Sequence, residues 1–86
     1  MTQDPLAELR ARFLDRCRED LAVLRATADP KAVKALLHRL AGAAGVFGYG
    51  DVSTLAARVD EQLHDGGSAD PADLAAVVDA LDRIVA

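Results

Sequence analysis

The chain has very little sulfur and few rings. Its 86 residues hold one cysteine, one methionine, no tryptophan, and only three aromatic side chains, Phe13, Phe47 and Tyr49. A single cysteine excludes an internal disulfide framework and fits a reducing cytosol, so a cytoplasmic location is expected. With Cys17 and two histidines there are too few ligands for a zinc centre, so no metal site is expected. No apolar run approaches the roughly 20 residues of a membrane span, and charges run through residues 1–20 where a signal peptide would be apolar. A basic surface is missing too. The net charge of −4 argues against a nucleic-acid partner. Long linkers, repeats and low-complexity segments are also absent, so residues 1–86 read as one domain.

What the chain has is helix-forming residues and clear punctuation. Half of it is apolar, and Ala, Leu, Arg, Glu and Asp dominate. Arg outnumbers Lys eight to two, which with the abundant Ala suits a GC-rich bacterial genome. Asp-Pro occurs at Asp4-Pro5, Asp29-Pro30 and Asp70-Pro71. In each, the carboxylate suits the N-cap and the proline suits the first helical position, which needs no N–H. A fourth start is expected at Asp51, after Gly48, Tyr49 and Gly50. Helices are predicted over 5–27, 30–48, 52–65 and 71–85.

Each helix carries an apolar stripe. The first has Leu6, Leu9, Phe13, Cys17, Leu21 and Leu24, the third Val52, Leu55, Ala56, Val59 and Leu63, and the fourth Leu74, Val77, Val78, Leu81 and Ile84. Four amphipathic helices with short connections predict an all-α fold, an antiparallel up-down-up-down four-helix bundle. Cys17 lies on its stripe and reads as a small buried hydrophobe. His64 falls in the last predicted turn of the third helix, where an imidazole complements the helix dipole.

The second helix differs from the others. At about 100° per residue, Val33, Leu36, Leu37, Leu40, Ala44 and Phe47 cluster on one side, and His38 points away from them. Sharing its face are Lys31, Lys34, Ala35, Ala41, Gly42 and Gly45. Exposed helical positions usually carry long polar side chains, and a glycine there costs about 1 kcal/mol relative to alanine. The strip is also locally basic. Residues 30–50 contain Lys31, Lys34 and Arg39 and no acid, which leaves a net −7 on the rest of the chain. An exposed histidine on a bare, basic strip suits an anionic group or an acidic partner pocket. The competing reading is a solvated face whose glycines serve packing. The glycine spacing of "GAAGVFG" is neither a dinucleotide fingerprint nor a P-loop, and it follows a helix rather than a strand.

The segment "HRLAGAAGVFGYGDVSTLAARVDEQL", His38 to Leu63, resembles the histidine-containing phosphotransfer (HPt) domain. The pattern falls on His38, Leu40, Gly42, Ala43, Ala44, Gly48, Leu55, Ala56, Val59 and Asp60. The local match covers about 26 residues, and the four-helix layout extends it along the chain. The resemblance implies a phosphocarrier rather than an autonomous enzyme. His38 would accept a phosphoryl group from a receiver-domain aspartyl phosphate and pass it to another receiver's aspartate. The implied partners are receiver domains of response regulators or hybrid histidine kinases. These supply Mg²⁺, so no cofactor of the chain's own is implied. Residue by residue, Arg39 would pair with phosphate oxygens and Asp60 would bond one imidazole nitrogen. Many members carry lysine three residues after the histidine. Here Ala41 stands instead, so phosphate stabilisation would fall to Arg39, Lys34 or the partner. Ala35, Ala41, Gly42, Gly45 and Tyr49 would form the docking strip, with Tyr49 alternatively closing the glycine turn. A monomer is expected. Beside this stands a second reading, a helical interaction module that binds through the bare face without being phosphorylated.

Overall fold

The computed structural model describes residues 4–86. Among them are four α-helices and no strand: α1 (Pro5–Ala26), α2 (Pro30–Val46), α3 (Gly50–Gln62) and α4 (Pro71–Val85), with a short 3₁₀ turn at His64–Gly66. Packing runs α1 on α2, α2 on α3, α3 on α4 and α4 back on α1, a closed four-helix bundle. The α2–α3 interface is the most extensive and α1–α2 the sparsest of these four.

The three Asp-Pro starts form as their chemistry dictates. Asp4 accepts from the Leu6 N–H at 2.9 Å, Asp29 from Lys31 at 3.2 Å, and Asp70 from both Ala72 at 2.8 Å and Asp73 at 3.2 Å. The third helix departs from expectation. Its N-cap is Tyr49, without a side-chain cap, and Asp51 instead sits exposed in the first turn, where its charge complements the dipole.

The helix ends also differ from the sequence expectation, for backbone reasons. α2 stops at Val46 rather than 48 because Gly48 takes a φ of +85°, the left-handed conformation that glycine adopts without strain. The Tyr49 N–H then reaches back to the Ala44 carbonyl at 2.9 Å and the Gly48 N–H to Gly45 at 3.4 Å, a Schellman closure. α3 stops at Gln62 rather than 65, and the chain turns through Asp65 (φ 53°) and Gly66 (φ 76°). His64 therefore lies outside α3, beginning the 3₁₀ turn, with its Nε2 3.6 Å from Asp65. Gln62 secures the connection: its Oε1 accepts from the Asp70 N–H at 2.8 Å, and its Nε2 donates to Asp73 at 2.6 Å.

The core is the overlap of the four stripes. Cys17 and Leu21, Leu36, Leu37, Leu40 and Ala44, Val52, Ala56 and Val59, and Val77, Ala80 and Leu81 are all buried. Two expected core residues are not. Leu6 and Leu9 are 50% and 48% exposed. Phe13 already stacks on Phe47 and Tyr49, with ring centroids 5.1 and 5.6 Å apart. Those two rings belong to the α2–α3 turn, at the end of the bundle. The two turns of α1 before Phe13 therefore run past the helices that would cover them.

Candidate functional site

His38 stands where its helical phase predicts, on the outer face of α2, with its side chain 79% exposed. Leu36, Leu37 and Leu40 around it in sequence are buried and fix the rotation of the helix. The ring is not free to turn, however. Its Nδ1 lies 2.9 Å from Oδ2 of Asp60, which projects from α3. The other oxygen, Oδ1, accepts from Lys34 Nζ at 2.6 Å. One carboxylate thus joins the histidine to the lysine one turn before it.

The electrostatics define the proton positions. Lys34 above all, and then His38, hold the Asp60 carboxyl below its ordinary range through their hydrogen bonds, against a smaller opposing effect of burial. An ionised carboxylate only accepts, so Nδ1 must carry the proton in this contact. In a neutral ring that leaves the lone pair on Nε2, for which no partner is found among the described residues. The site therefore presents a single nucleophilic nitrogen of defined orientation.

Around the ring the surface is bare. Ala35, Gly42 and Gly45 are exposed and Ala41 is half-buried. A Cβ added at Gly42 would meet no neighbouring atom of the described residues within 4 Å, so none of them requires glycine there. At Gly45 it would make only ordinary contact, 3.5 Å from Ser53 Oγ. That hydroxyl donates to the Ala41 carbonyl at 2.6 Å, tying α3 to α2 beside the strip. Lys31 is exposed.

Two residues expected near the histidine lie elsewhere. Arg39 turns toward α1, where its Nη2 donates to Asp20 Oδ1 at 2.6 Å. The Tyr49 ring is half-buried and stacked on Phe13, closing the end of the bundle. Asp20 itself went unremarked in the sequence. It is 3% exposed, and its Oδ2 has no hydrogen-bond partner among the described residues. The available signal was an acid three residues after Cys17, on the buried side of the stripe. Cys17 beside it has its thiol pushed up to about 11 by burial, with the Asp20 charge adding to the effect and Arg39 and Arg18 opposing it. Among the described residues no cluster of three or more His, Cys, Asp or Glu could hold a metal ion.

The comparison with protein families covers nearly the whole bundle. The family model for the Hpt domain matches residues 8–86. The chain belongs to the Hpt domain family. Neither the comparison with curated proteins nor that with solved structures gives a match. Membership gives this HPt domain a phosphotransfer role in two-component signalling, as a phosphocarrier that interacts with receiver domains. No helix among the described residues is long and apolar enough to cross a membrane.

Proposed function

We propose that His38 is the phosphoacceptor of this HPt domain, and that it takes its phosphoryl group from the aspartyl phosphate of one receiver and yields it to the aspartate of another. The observation that carries this reading is the 2.9 Å contact between Nδ1 and Asp60 on an otherwise exposed ring. Nε2 attacks phosphorus in line, the N–P bond forms, and the acyl P–O bond breaks with its electron pair leaving on the donor carboxylate. Nδ1 keeps its proton throughout. The positive charge that develops on the ring is met by the Asp60 carboxylate, already in place and ionised. Phosphoryl transfer depends mainly on positioning and charge stabilisation, and Asp60 contributes to both.

The donor's pocket must close over the imidazole, which requires close approach to α2. The bare surface at Ala35, Ala41, Gly42 and Gly45 supports docking there. Gly42 supports it most, since its helix-weakening cost has no return inside the molecule. Arg39, engaged with Asp20, is assigned a structural role, and Tyr49 is assigned to the bundle end rather than to the docking strip. The receiver supplies Mg²⁺, and the carrier acts in the cytoplasm without a cofactor of its own.

The test is transfer from a panel of phosphorylated receiver domains to the wild type and to His38→Gln. Acid-labile, base-stable label on the wild type alone is the expected result. Receivers that dock equally on both proteins without labelling either would instead favour the interaction-module reading.

A further inference from the structure

Before the reaction begins, Asp60 acts on the resting imidazole in two opposed ways. By accepting from Nδ1 it orients the ring and leaves Nε2 to attack. The same Nδ1 contact is made equally by an imidazolium, whose second proton would occupy the Nε2 lone pair. An imidazolium cannot attack phosphorus. The orienting carboxylate thus tends to disarm the nucleophile that it positions.

Lys34 resolves this conflict. Its ammonium sits 2.6 Å from the carboxylate oxygen that His38 does not use. The charged groups facing the ring are then few: Asp60 from α3, and Lys34 from α2 behind it. Arg39, also on α2, is engaged with Asp20 of α1, and among the described residues no second carboxylate lies within 4.0 Å of a ring nitrogen. Lys34 offsets part of the Asp60 charge from the side away from the ring and leaves the Nδ1 hydrogen bond intact. Resting on the assignment of His38 as the acceptor, we propose that Lys34 is a positioning residue for phosphoryl transfer: it compensates Asp60 so that the carboxylate can orient His38 without holding it protonated, and thereby sets the lower pH limit of acceptance. The role is indirect. Lys34 acts through Asp60 and is not required to touch the phosphoryl group.

The experiment measures initial phosphorylation rate against pH, from 5 to 8, with phosphoramidate as donor. The reagent is small and needs no docking surface. Nε2 bonds to its phosphorus, its P–N bond breaks, and ammonia leaves with that electron pair; the reagent's own titration is common to all variants. Wild type, Lys34→Met, Lys34→Arg and Asp60→Asn are compared, with circular dichroism confirming the fold of each. For Lys34→Met the half-maximal pH should rise by about 0.5–1 pH unit, a loss of about three- to tenfold in rate on the acid limb, while the high-pH plateau stays within about twofold. Lys34→Arg should restore the wild-type midpoint. Asp60→Asn should lower the midpoint and reduce the plateau. A Lys34→Met profile with an unmoved midpoint overturns the inference, whether or not its plateau falls. If phosphoramidate and all receivers leave the wild type unlabelled, the assignment of His38 fails and the inference with it. Label on the wild type with an unmoved midpoint defeats only the role of Lys34.

Discussion

Replacing Arg39 by alanine should unfold this protein more readily without impairing its chemistry. Among the described residues the guanidinium is the only close partner of Asp20, a carboxylate that is 3% exposed; Arg16 Nε is 3.8 Å away and Oδ2 has no hydrogen-bond partner there. Removing one member of a fully buried ion pair costs about 3–5 kcal/mol, because the other charge is left uncompensated. Arg39 is itself 40% exposed and Arg16 remains within reach, so water and the second arginine recover part of that. The expected loss is about 2–3 kcal/mol. In a domain of this size each kcal/mol moves the melting temperature by about 4–8 °C, giving a drop on the order of 10–20 °C. Urea denaturation followed by circular dichroism measures it, and adding Asp20→Asn to Arg39→Ala should regain part of the loss by removing the stranded charge. Below its transition, Arg39→Ala should accept phosphoryl within about threefold of the wild-type rate. A variant within about 0.5 kcal/mol of wild type would refute the electrostatic argument, and a stable variant that no longer accepts phosphoryl would return Arg39 to the reaction site.

Three other perturbations have definite outcomes. Gly42→Ala should stabilise the domain by about 0.5–1 kcal/mol, since the new methyl meets nothing within 4 Å in a helix interior, whereas Gly42→Arg should slow transfer from receivers at least about tenfold by blocking the approach to α2. Cys17 is fully buried and its thiol is pushed up to about 11, so iodoacetamide at pH 8 should label the urea-unfolded chain and leave the native protein unlabelled over the same interval. Asp60 has a folded pKa below its ordinary 3.8; its stabilisation is therefore complete above that value and is lost as pH falls through the lower, folded one. The stability gap between wild type and Asp60→Asn should accordingly narrow as pH falls below about 4.

Much of this architecture was legible in the residues. The Asp-Pro starts are read correctly because cap and first-turn chemistry are local, and the rotation of His38 follows from the leucines on the same helix. Most of the misread points depend on partners distant in sequence, and one on a local backbone closure. Periodicity assigns Leu6 and Leu9 to a core stripe, but it carries no information on where the facing helices end. Asp51 looks like a cap, yet the Schellman closure at Gly48 sets the path into α3 and makes Tyr49 the cap instead. Arg39 is adjacent to His38 in sequence but about 100° away around the helix, and only the fold reveals the buried acid that claims it. The link from Lys34 to Asp60 spans 26 residues, and no local pattern announces it.

The most direct test of the central claim is to phosphorylate the ¹⁵N-histidine-labelled protein with a receiver donor and identify the modified atom by ³¹P and ¹⁵N magnetic resonance. One phosphohistidine is expected, at Nε2 of His38, with Nδ1 still protonated and bonded to Asp60. Phosphate on Nδ1, or on His64 instead of His38, would contradict the account, because both would mean that the Asp60-oriented nitrogen is not the one that reacts.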